Sequence, residues 1–265
     1  MSATAQAYDL NPYCSAFSSY YAVESNSLIG VGVRPKKPCD LAIAAHRDFQ
    51  EHIRDPDFPC VGAKASLSGN SYRFGFYESI SSGDATTGLA HDLWNYAVEQ
   101  AELNTDYATF AAVFNGPFDM SERTWEKCLW DQLQTLHERD VENSPWDSAV
   151  SDDPADPNFS FSFAETGFFI VGLHPGASRL ARRFTYPTLI FNVHAQFDRL
   201  RERGLFARMR DTIRNRDLKL QGSLNPNLSD FGKDSEVKQY SGRAVEPEWK
   251  CPFHRLFGKK LKTKG

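Results

Sequence analysis

Three sets of residues in this 265-residue chain have types and settings that suit chemistry. Cys60 follows Pro59 and precedes Val61-Gly62. A cysteine at a strand edge with x-Gly behind it exposes backbone N–H groups near its sulfur. Such donors stabilise a thiolate and tune any iron it binds. A small buried apolar cysteine is the competing reading. His174 stands where an apolar run ends, followed by Pro175 and then by Arg179, Arg182 and Arg183. Strand ends are where rigid scaffolds present functional groups. A histidine there could ligate haem while guanidinium groups clamp the propionates, because arginine matches carboxylates bidentately. A strand-capping histidine beside a solvated basic face is the plainer alternative. His137 reads as a satisfied core histidine and His194 as a helix N-terminal residue.

The third set is Asn225-Pro-Asn-Leu-Ser-Asp230-Phe-Gly with Ser235-Glu236-x-x-Gln239-Tyr240-Ser-Gly-Arg243. So many hydrogen-bonding groups in irregular backbone must be satisfied by each other or by a ligand. Asp230 and Glu236 could hold a cationic substrate; a rigid surface loop would explain them equally. Generic motifs are absent: the sequence has no P-loop, no G-x-G-x-x-G after a strand, no H-E-x-x-H and no G-x-S-x-G. The seven histidines make no ligand pair at i, i+3 or i+4. Five scattered cysteines without a C-x-x-C pair argue against a disulfide framework and a structural zinc site.

The elements that must position these groups follow from patterning. With 41% hydrophobic and 24% charged residues, the chain can bury a sizeable core. A net charge of −4 gives no electrostatic footprint for nucleic acid. No apolar run approaches the ~20 residues of a membrane span, and the N-terminus has no signal-peptide pattern, so the expected compartment is the cytoplasm. Residues 40–53, 86–102, 122–139, 195–203 and 205–214 carry helical spacing, with Asp40 as N-cap and Asp119-x-x-Glu122 as a capping box. Residues 60–67, 72–77, 109–114, 159–163, 167–173 and 187–191 read as strands. The acid- and proline-rich stretch 140–158 reads as a long loop. The fold expected is α+β: a mixed or antiparallel sheet with several packed helices in a single compact domain. Residues 1–38 read as a loose lead-in, 39–256 as the domain, and 257–265 as a basic, frayed tail.

Several stretches together resemble the YqcI/YcgG family, whose members include haem-dependent N-hydroxylases of guanidino compounds. They are Phe58-Pro-Cys-Val-Gly-Ala-Lys64, Leu129-Trp-x-x-Leu-x-x-Leu-His137 and Gly172-Leu-His-Pro-x-Ala-Ser-Arg-x-Ala-Arg-Arg-Phe184. Arg216-Asp-x-x-Leu-Gln-Gly-Ser-x-Asn-Pro226, the Ser235–Arg243 segment and Trp249-Lys-Cys-Pro-Phe253 complete them. The resemblance implies a b-type haem enzyme that uses dioxygen and electrons to N-hydroxylate a guanidine such as L-arginine, serving specialised-metabolite biosynthesis. Asp230, Glu236 and Tyr240 would then face the substrate. Arg179, Arg182, Arg183 and Arg243 would help hold the cofactor. A thiolate favours O–O cleavage, so Cys60 is the first choice of axial ligand, His174 the second and Cys251 the third. An electron donor is implied, no nucleic acid or membrane partner is, and a homodimer is compatible. A haem sensor or carrier without turnover, or a haem enzyme acting on another amine, is the alternative.

Overall fold

The computed structural model describes residues 8–257. Its organising strand is the all-apolar run Thr109–Phe114. Phe110, Ala112 and Phe114 enter one hydrophobic core, and Ala111 and Val113 enter another. A strand with both faces buried must lie inside a sheet covered on both sides. That is the architecture found: among the described residues, seven strands in the order β2-β1-β3-β4-β7-β6-β5. In chain order they are β1 Tyr20–Glu24, β2 Ser27–Gly30, β3 Tyr72–Tyr77, β4 Thr109–Phe114, β5 Phe161–Phe163, β6 Thr166–Leu173 and β7 Thr188–Val193. Only β3 and β4 run parallel, joined by a helical crossover; the other neighbours are antiparallel. The mixed sheet with helices on its faces is the α+β class expected.

Among the described residues the α-helices are α1 Asp40–Arg54, α2 Val61–Ser68, α3 Gly83–Glu99, α4 Glu122–Asp140, α5 His194–Glu202, α6 Phe206–Gln221 and the short α7 Val237–Tyr240. Leu89, Leu93 and Tyr96 of α3 pack with Trp125, Leu129 and Leu133 of α4 on one sheet face. Ala42, Ala45, Phe49 and Ile53 of α1 pack on the other, with α2, α5 and α6 beside them over a cavity. Gly172 of β6 lets α4 and the Tyr240 carbonyl approach closely, since a Cβ there would meet Leu129 and Tyr240 atoms at 2.8 Å. No helix among the described residues is long and apolar enough to cross a membrane.

Four expectations need correction. Residues 61–68 are the helix α2, not a strand. An eight-residue apolar stretch fits either period, and here Cys60 acts as the N-cap that starts the helix. Residues 20–30 are not loose lead-in: β1 and β2 form a hairpin on the sheet, turned by Ser25 and Asn26 at φ 47° and 66°. That positive pair is a type I′ turn geometry. Lastly, α4 is capped by Ser121, whose hydroxyl accepts from the Thr124 N–H at 3.2 Å, not by an Asp119–Glu122 box. Likewise Cys39, not Asp40, holds the N-cap position of α1. The lysine-rich tail beyond Phe257 lies outside the described residues.

Candidate functional site

The cavity on the α1 side of the sheet encloses about 370 Å³, within the range of small-molecule sites. Alternation along the strands builds its floor. Phe169, Val171 and Leu173 of β6, with Ile190 and Asn192 of β7, face it, while their neighbours Phe168, Ile170, Leu189 and Phe191 face the opposite core. Its roof is α6, whose Phe206, Met209, Arg210, Ile213, Arg214 and Asp217 recur at helical spacing along one face. The start of α2 and the first turns of α5 close its sides.

Cys60 lies in the cavity wall. Its sulfur accepts the Ala63 N–H at 3.4 Å, because the N-cap position aims the first free N–H groups of α2 at it. Burial pushes the thiol above its ordinary pKa, against the pull of the Ala63 and Gly62 N–H groups and of Arg182. Arg182 also borders the cavity and donates to the Gly172 and Gln239 carbonyls at 3.1 and 3.3 Å. Removal from water pushes its pKa down to about 10, with the Cys60 sulfur and Asp217 opposing that. No carboxylate among the described residues forms a salt bridge with it. The other cavity arginines are matched: Arg179 with Asp217, Arg201 with Asp198 at 2.6 Å, and Arg210 and Arg214 each with Asp230 at 2.8 Å.

The acids sort the same way. Asp106, Asp217 and Asp230 line the cavity but each already holds arginine. Glu236 lines it with no cation in contact. Its Oε1 accepts from Ser160 at 2.7 Å and from Tyr240 at 2.5 Å, which leaves Oε2 for a ligand. Burial pushes its pKa up to about 8 despite those donors and the more distant Arg201, so the carboxyl is mostly protonated at neutral pH. Tyr240 stands behind Glu236, stacked on Trp130, and does not border the cavity.

His174 is not brought to this cavity. It continues the parity of Phe168, Ile170 and Gly172, so its ring turns to the other sheet face and stacks on Trp125 at 5.2 Å. Cys251 packs against that same opposite core. Arg183 donates to the Ala177 carbonyl at 2.9 Å and Arg243 is held by Glu126 and Glu246, both away from the cavity. Arg179 and Arg182 therefore remain of the four arginines expected at a cofactor. His194 opens α5, as the helix N-terminal reading expected, but its place in the cavity beside Gln196 was missed. A cue for that place was present: His194 follows the end of the apolar strand β7, the same setting that drew attention to His174.

The residues present fit a haem. Cys60, His194 and Met209 in the cavity's mainly apolar wall could each donate to iron, and of these the Cys60 sulfur acts on Arg182, a cation without a salt-bridged acid that a propionate would supply. Searches of curated proteins and of solved structures found no match to the chain. A family model matches residues 49–254, and every cavity-lining residue, from Phe49 to Gln239, falls inside that span. The chain belongs to the YqcI/YcgG family.

Proposed function

We propose that the protein is a haem-dependent monooxygenase that N-hydroxylates a guanidino compound such as L-arginine. The observation that carries this reading is the pairing of Cys60 with Arg182 in one apolar cavity. An N-capping sulfur beside an arginine without an acid is a setting for an anionic metal ligand, since coordination deprotonates a thiol outright. Bound there, haem would supply dioxygen activation: one oxygen atom enters a guanidine N–H, the other leaves as water, and a reductant supplies two electrons and two protons.

The chain's own residues do the rest. Cys60 would ligate the iron, and the N–H groups of Ala63 and Gly62 would temper the charge on its sulfur. Arg182 would receive a propionate carboxylate, with Arg179, already paired with Asp217, beside it. Phe49, Phe58, Val171, Ile190 and Phe206 exclude water from the reacting face. Glu236 offers the cavity's only acid without a cation in contact, among the described residues, to a cationic substrate.

Absorption spectra of the purified protein test the reading, taken before and after dithionite and carbon monoxide. A Soret band is expected, and Cys60→Ser should move the ferrous–CO band. Colourless protein after haem reconstitution would refute the reading; an unshifted band in the variant would remove Cys60 from the iron.

A further inference from the structure

Buried polar atoms without partners cost the fold their lost hydration, so each one in a native structure calls for a reason. Among the described residues, four such atoms sit on cavity-lining side chains: Ser66 Oγ, His194 Nε2, Gln196 Oε1 and Asp217 Oδ1. Away from the cavity the unpaired atoms include donors, the indole N–H groups of Trp94 and Trp130 and the Tyr96 hydroxyl. Those at the cavity can all accept, and three of them, on His194, Gln196 and Asp217, accept only. His194 belongs with them because its Nδ1 faces Asp198 Oδ2 at 3.4 Å, which puts the ring proton on Nδ1 and a lone pair on Nε2. Burial favours that neutral form.

Two of these residues share a corner with Glu236. His194 and Gln196 stand two positions apart at the start of α5, only 4% and 3% exposed. The Phe231 ring, five residues before Glu236, lies 4.4 Å from the His194 ring. The sheet register agrees: Val193 pairs with Phe168, Phe168 with Phe161, and the neighbouring Ser160 bonds Glu236. Arg182 is held by the Gly172 carbonyl of β6 and by the Gln239 carbonyl, three residues past Glu236. The unpaired His194 and Gln196 atoms and the Glu236 carboxyl thus gather around the start of α5. The cation felt there, Arg201, is already taken by Asp198.

We propose that His194, Gln196 and Glu236 form a recognition corner for a cation rich in N–H donors, a guanidinium or amidinium group. A planar guanidinium presents five N–H donors and no acceptor, the complement of this set. The assignment rests on the proposed activity for its substrate class and names the side chains that would select it.

Calorimetric titration with L-arginine and with L-citrulline, its neutral isostere, tests the corner whether or not haem is loaded. The wild-type protein binds arginine the more tightly. Gln196→Leu and His194→Leu each cut arginine affinity tenfold or more with little change for citrulline, and Gln196→Glu keeps or raises the preference for arginine. A preference unchanged in the leucine variants overturns the proposal, even if both affinities fall together, because that is the mark of structural damage alone. Failure of the wild type to bind arginine also overturns it, as does a shift of the ferrous–CO Soret band in His194→Gln, which would make His194 an iron ligand. Colourless protein that still selects arginine through these residues would sink the oxygenase reading and leave the corner standing. Hydroxylation undisturbed by the leucine variants would do the reverse.

Discussion

Replacing Glu236 with glutamine should stabilise the ligand-free protein, and the gain should grow with pH. The carboxyl's pKa stands at about 8 against an ordinary 4.5, raised mainly by burial. Below pH 4.5 both the folded and the unfolded chain carry the proton, and nothing is lost. Above it the unfolded chain ionises while the folded carboxyl keeps its proton, so stability falls as pH rises and levels off near pH 8. At ~1.4 kcal/mol per pH unit, the gap corresponds to about 3 kcal/mol at pH 7 and about 5 kcal/mol above pH 8. Glutamine keeps an oxygen for Ser160 and Tyr240, fills nearly the same volume and does not titrate. Urea unfolding of both proteins at pH 5, 7 and 8.5 reads the difference directly. A gain of under about 1 kcal/mol at pH 5 that rises toward the higher figures is expected. Parallel stability curves would refute the argument, because they would mean that the folded protein ionises Glu236 as readily as the unfolded chain does. The same linkage predicts that arginine binding at pH 7 releases about one proton, seen as a dependence of the calorimetric heat on the buffer's ionisation enthalpy.

Two further substitutions separate the residues brought to the cavity from those left outside it. Asp230→Asn frees Arg210 and Arg214 at a partly exposed site, so it should cost about 1 kcal/mol or less and leave arginine affinity within about twofold, measured by denaturation and calorimetry. A tenfold loss of affinity would show that Asp230 contacts the substrate despite its two arginines. His174→Phe keeps the stacking on Trp125 and removes an unpaired buried nitrogen, so stability should change by no more than about 1 kcal/mol and the haem spectrum should not move. A displaced Soret band there would return His174 to the iron.

What the sequence disclosed depended on how local the cause was. The strands 72–77 and 109–114 were legible because their apolar pattern is their own, and the structure places them at Tyr72–Tyr77 and Thr109–Phe114. The hairpin of β1 and β2 was not, since Ser25-Asn26 lacks the Asn-Gly or Asp-Gly pair that usually announces such a turn. Cys60 shows a partial success of another kind. The expectation of N–H groups near its sulfur is met, but by the open end of helix α2 and not by a strand edge. Asp230 and Glu236 looked equivalent as acids in a polar loop. They differ through partners far away in sequence, Arg210 and Arg214 for one and Ser160 for the other, and no spacing rule reaches that far.

That difference carries the functional argument. Four acids line the cavity, and three are neutralised by arginines, two of them by arginines that also line it. Such pairs are closed systems: a cationic ligand approaching Asp230 must compete with two guanidinium groups already in place. Glu236 is open, and keeping it open is costly, because a buried carboxyl without a cation lowers stability at every pH above its unfolded pKa. Glutamine would fill the same corner and accept the same hydroxyls without that cost. An acid here gains its advantage only when a cation enters, ionising the carboxyl and recovering the lost stability as binding energy. His194 and Gln196 sharpen the choice of cation, since unpaired acceptors favour a group with many N–H donors over a compact ammonium with three.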